Sequence, residues 1–93
     1  MSMDKEQERG RIAASILENE IYKEAVETVR TAILDTWANS PIRDTEGLHE
    51  LRLMLKALND VNGHVQQVMN TGKMAKIQQE EKRTLFDRII RKA

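Results

Sequence analysis

The sequence predicts an all-α protein, and three observations carry that prediction. Apolar residues recur at helical spacing in two long stripes, aromatic residues are almost absent, and a single proline falls between the stripes. The 93 residues include 3% aromatics (Tyr22, Trp37 and Phe86), four Gly, one Pro and no Cys. A core must therefore come from Leu, Ile, Val, Met and Ala, with no disulfide framework or thiolate metal site behind it. The length suits one domain over residues 1–93. The expected architecture is a long antiparallel helical hairpin with an N-terminal helical arm and a basic C-terminal helix, completed by self-association.

The arm is expected over residues 3–18, where Ile12, Ile16 and Leu17 form a short stripe inside a run of strong helix formers interrupted by Gly10. Asn19 is a helix cap by type, and Glu20 and Glu24 follow it as acidic residues do at a helix start. The next helix, over 20–38, carries Tyr22, Val26, Val29, Ile33 and Trp37 at spacings of four, three, four and four, with Ala25 and Ala32 widening the stripe. It stops at Asn39-Ser40-Pro41, because Pro41 has no N–H and drives Ser40 out of the α region. A loop over 39–44 has the length usual between antiparallel neighbours.

Asp44 is placed to cap a long helix over 45–70, with Glu46 in its first turn. Its stripe is the cleanest in the chain: Leu48, Leu51, Leu55, Leu58, Asn62, Val65 and Met69, flanked by Leu53, Met54, Val61 and Val68. At about 1.5 Å per residue this helix is ~39 Å long, whereas a compact chain of this size has a radius of gyration near 12 Å and a diameter of roughly 32 Å. Either the helix kinks at Asn62-Gly63, or the molecule is an elongated hairpin whose apolar faces need another copy or another protein. The interface residues expected on the hairpin are Val26, Val29, Ile33, Leu48, Leu51, Leu55, Leu58, Val65 and Met69.

Gly72 sits where a terminal glycine would end that helix. A separate helix is expected over 73–92, whose last turns place Leu85, Phe86, Ile89 and Ile90 among Lys82, Arg83, Arg88, Arg91 and Lys92. Such a basic amphipathic helix packs on the hairpin, or docks on a partner protein, on nucleic acid or on an anionic surface.

The neutral total of 15 cations and 15 carboxylates conceals a gradient. Residues 1–47 hold six basic and ten acidic side chains, net −4, and residues 48–93 hold nine and five, net +4. Neutrality excludes a protein that coats nucleic acid by bulk charge, and the gradient lets the two halves attract when folded antiparallel. No apolar run is long enough for a membrane span.

Chemistry-bearing patterns are few. His49 and His64 are 15 residues apart, about 22 Å along one helix, so they cannot share a metal. Thr71-Gly72-Lys73 lacks the upstream Gly and the following Ser/Thr of a phosphate loop. No nucleophile stands beside a base, so no enzymatic activity, cofactor or metal is expected.

The run Trp37, Pro41, Arg43-Asp44, Glu46-Gly47, Leu51, Leu53-Met54-Leu55-Lys56, Leu58, Gly63, Val68 and Thr71-Gly72-Lys73-Met74-Ala75 resembles a family of small helical proteins encoded in tailed-bacteriophage and prophage genomes. The resemblance covers roughly residues 12–80, includes the helix start at Asn19, and brings no catalytic residues. It implies a phage-derived protein near virion-assembly genes. Around the turn, Asp44 is expected to cap, Arg43 to pair with a carboxylate, and Trp37 to cover the top of the hairpin with its indole against Gly47.

The functional expectation is a non-enzymatic structural or virion-assembly accessory protein that works through helix–helix contacts with itself and with a phage or host protein. It is expected in the host cytoplasm, with the virion as its other location. A small inhibitor or regulator of a host protein, of the anti-defence type, is the alternative. A third reading is a DNA-packaging accessory that binds DNA through Lys82, Arg83, Phe86, Arg88, Arg91 and Lys92.

Overall fold

Three helices make up the computed structural model, which describes residues 3–92: α1 over Met3–Glu18, α2 over Glu20–Ala38 and α3 over Thr45–Lys92. No strand is present among the described residues. The architecture is an elongated all-α hairpin. α1 and α2 follow one another along the first leg, and α3 returns antiparallel along both.

The break in the first leg is one residue wide. Asn19 has an extended backbone (φ −67°, ψ 125°), and its side chain accepts a hydrogen bond from the Tyr22 amide at 3.0 Å. That satisfies one of the amides left free at the start of α2, so the chain turns without leaving the helical path. The turn between the legs is built the same way. Ser40 N–H donates to the Trp37 carbonyl at 3.2 Å, Asp44 N–H to that of Pro41 at 3.0 Å, and the Asp44 carboxylate accepts from the Gly47 amide at 3.0 Å to cap α3.

α3 differs from the sequence expectation. It runs unbroken for 48 residues through Gly72, so residues 45–70 and 73–92 are one helix and not two. A helix of that length rises about 72 Å, which matches the 75 Å long axis of the molecule and leaves no kink at Asn62-Gly63. The radius of gyration, 20.8 Å, far exceeds the ~12 Å of a compact chain of this length.

Gly72 continues the helix because it serves packing. A Cβ placed on Gly72 would stand 2.7 Å from the Gly10 Cα and 2.9 Å from the Glu6 carbonyl oxygen, and a Cβ on Gly10 would stand 2.7 Å from the Gly72 Cα. Both glycines are buried, with Ala13 (3% exposed) and Ala75 (2%) one turn beyond each. Two Gly-x-x-Ala faces thus bring the α1 and α3 backbones together at the tightest point of the fold.

That crossing also redirects the seam along α3. Met54, Val61, Val68 and Ala75 recur every seven residues, yet the first two are 53% and 63% exposed, Val68 is half-buried and Ala75 is buried. Over the same length the row Leu48, Leu55, Asn62 and Met69 is half-buried and ends at exposed Lys76. The covered stripe therefore shifts sideways as the partner changes from α2 to α1.

The three atoms nearest to where a Gly47 Cβ would stand all belong to the Asp44 carboxylate, its Cγ at 2.9 Å. Trp37 is 55% exposed, and Arg43 makes no ion pair among the described residues. The expected Arg43 ion pair is absent among the described residues, and the Asp44 carboxylate holds the space nearest Gly47.

Candidate interaction surface

Very little of this molecule is buried within itself. Among the described residues the buried apolar side chains are Ala13, Ile33 and Ala75, while 16 large hydrophobic residues are exposed. The accessible surface is 7713 Å², against about 5,500 Å² expected for a globular protein of 10.7 kDa. Seven of the 16 lie at the two ends of the rod, Leu34, Trp37 and Ile42 at the loop end and Leu85, Phe86, Ile89 and Ile90 at the other, and the rest are spread between them.

At the loop end α2 and α3 splay apart. Ile33, Leu34 and Trp37 from α2 and Leu48, Leu51 and Leu55 from α3 line an open apolar groove of about 580 Å³, with Thr45, His49 and Arg52 at its edges. Ile33 forms the floor at 9% exposed, while Leu34 and Trp37 stand on the wall at 45% and 55%. Three of the expected interface leucines thus meet Ile33 in one place. Leu58, Val65, Met69 and Val26 are half-buried further along the hairpin, and Val29 is 45% exposed. Pro41 and Arg43 are exposed on the turn.

Between the groove and the glycine crossing, polar contacts hold the two legs in register. The Tyr22 hydroxyl donates to Asn62 Oδ1 at 2.7 Å, and the Arg30 guanidinium donates to Asn59 Oδ1 at 2.8 Å. Asn62 interrupts the leucine stripe, and this hydrogen bond is the physical reason for an amide there. A sliding of α2 along α3 would strand both groups, so the pair fixes the register. Tyr22→Phe is expected to lower stability by about 0.5–1.5 kcal/mol, the net worth of one part-buried hydrogen bond, read as a fall in melting temperature with unchanged helicity.

At the opposite end α3 outruns its partner. Near that end Gln79 is joined to α1 through side-chain hydrogen bonds with Gln7 and with Asp4. Residues 80–92 extend α3 about 20 Å further. The rows that are buried at the crossing continue into this overhang, with Phe86 fourteen residues after Gly72 and Ile89 fourteen after Ala75. Leu85, Phe86, Ile89 and Ile90 are 56–63% exposed, among exposed Lys82, Arg83, Arg88 and Arg91. The side chain of Lys92 lies outside the described residues.

The residues hidden from sequence inspection are the Gly10, Ala13, Gly72 and Ala75 seam and the Tyr22–Asn62 pair. A signal for the seam exists, since Gly-x-x-Ala occurs twice, once in each leg. Among the described residues no group of three His, Asp or Glu side chains is placed to hold a metal, and Asp60 pairs with Lys56 at 2.8 Å and not with His64. No described helix is long and apolar enough to cross a membrane.

Fold and surface together define a rod-like helical hairpin with an apolar groove at one end and an apolar, cationic overhang at the other. No protein-family model matches the chain. No curated protein and no solved structure matches it either.

Proposed function

We propose that this chain is a non-enzymatic assembly protein that acts by presenting helical surfaces to protein partners, in the phage setting that its sequence resemblance implies. The observation that carries the reading is the apolar surface left open in an ordered arrangement. The groove and the overhang are extensions of the hairpin's own packing seam, and exposed apolar patches of this extent mark interaction sites. The overhang mixes cations with four large apolar side chains, which suits a protein groove better than phosphate contact alone.

Quantifying the chain in purified particles produced by its phage or induced prophage, and in their assembly intermediates, tests this reading. Many copies per particle or per intermediate are expected. Absence from both, together with a one-to-one complex with a single host protein, would replace it by the inhibitor reading.

A further inference from the structure

We propose that two copies of this chain pair antiparallel, with the cationic overhang of each seated in the apolar groove at the loop end of the other. The inference rests on the assembly reading above and names its first partner, a second copy.

Geometry is the first argument. The groove and the overhang lie on the same straight helix, with Leu51 in one and Phe86 in the other, 35 residues or about 52 Å apart. They cannot meet within a chain. In an antiparallel pair of 75 Å rods each groove faces the other copy's overhang, so one two-fold arrangement makes both contacts and leaves neither end open.

Charge is the second argument. The loop half, residues 19–64, has five cations against eight carboxylates, a net −3, and the remainder has ten against seven, a net +3. Along the folded rod the loop half is therefore the negative end and the other half the positive one. Antiparallel neighbours place each negative half beside a positive one, whereas parallel neighbours set like beside like. The overhang, residues 80–92, holds five cations against Glu80, Glu81 and Asp87, a net +2, and the charged side chain lining the groove is Arg52, so the complementarity is between the halves of the rod and not within the groove itself.

Area is the third. Side-by-side contact over the 75 Å rod, in a stripe about 10 Å wide, would cover about 750 Å² per copy, close to the ~800 Å² per partner of a standard stable interface, so the two end contacts need the flank between them as well, where Leu53, Met54 and Val61 are 52–63% exposed. The seam gives that stripe a direction, since its buried rows run on into the overhang without a break in the helix.

The absence of native Cys makes the pairing directly testable. Two full-length variants, Leu34→Cys and Phe86→Cys, change residues that are 45% and 63% exposed, so folding does not depend on them. Mixed and treated with a short thiol-specific cross-linker, they are expected to give a covalent dimer that forms poorly with either variant alone. Efficient cross-linking of Phe86→Cys to itself, or none between the two variants, would overturn the antiparallel pairing.

As a second measurement, reversing Lys82, Arg83, Arg88 and Arg91 to Glu is expected to raise the dimer dissociation constant roughly tenfold or more, with helicity by circular dichroism unchanged. An unaltered constant would also overturn it. A dimer joined in some other way removes this pairing and leaves the assembly reading standing, because that reading fails on a different measurement, the chain's absence from particles and their intermediates.

Discussion

Alanine at Gly72 and alanine at Gly63 are expected to move stability in opposite directions, although both glycines lie in the middle of the same helix. In an exposed helix interior Gly→Ala is worth about 1 kcal/mol of stabilisation, because alanine loses less backbone entropy on folding. Gly63 meets that condition, with nothing within 4 Å of where its Cβ would stand. Gly63→Ala should therefore raise the melting temperature by several degrees.

Gly72 does not meet it. The added methyl would lie 2.7 Å from the Gly10 Cα and 2.9 Å from the Glu6 carbonyl oxygen, where an ordinary carbon–carbon contact needs about 3.5–4.0 Å. Neither obstacle is the end of a flexible side chain, so α1 must move off α3. Overpacking of this kind costs about 1–3 kcal/mol, and with backbone on both sides the upper part of that range applies. The net loss is about 1–2 kcal/mol. Gly72→Leu should cost more still and release α1, read as lost protection of α1 amides from hydrogen exchange while the loop half keeps its protection. A Gly72→Ala protein as stable as the native chain would mean that the helices do not touch at this crossing.

Ile33 governs the other half of the hairpin. It is the one large apolar side chain buried there among the described residues, at 9% exposed, and it forms the floor on which α2 rests against α3. Ile→Ala in a well-packed core costs 2–5 kcal/mol, according to how much cavity is left. Here the site borders an open groove, so the void fills with water and the lower end applies, about 2–3 kcal/mol. Because α1 is seated separately at the glycine crossing, the loss should be local. Amides of α2 should exchange faster than those of α1, whereas equal acceleration in both would mean that the hairpin is one cooperative unit.

The helical class and the hairpin were legible in the sequence for a simple reason. A period of three and four at Tyr22 through Trp37, and again at Leu48 through Met69, admits only an amphipathic helix, and Pro41 admits only a turn between the two. Both caps were legible too, since Asn19 and Asp44 each precede an acidic first turn. The path of α3 beyond Gly72 was not. A lone glycine after an apolar stripe is a stop signal when read locally, and what it packs against here is a backbone 62 residues away in sequence, at Gly10.

The same tertiary cause hid the tight seam. Gly and Ala carry almost no hydropathy signal, so a close backbone crossing leaves little trace in a pattern of large apolar residues. Asn62 shows the converse. It stands in the leucine stripe as its one polar member and is one half of the Tyr22 hydrogen bond that sets the register. At the turn Asp44 caps α3 as its residue type predicts, and its carboxylate holds the space nearest Gly47, where the Trp37 indole was expected.

The elongated shape ties these points together. A 48-residue helix with only 35 helical residues against it leaves one end uncovered, and the splay at the loop end leaves the other unfilled. The chain thereby carries two apolar surfaces that its own fold cannot join, set in halves of opposite charge.

Light scattering of the full-length chain, across a hundredfold range of micromolar concentration and at ionic strengths below and above physiological, measures that claim most directly. The expected result is a species of twice the 10.7 kDa chain mass that loosens as salt rises. A particle of single-chain mass at every concentration and salt would contradict it.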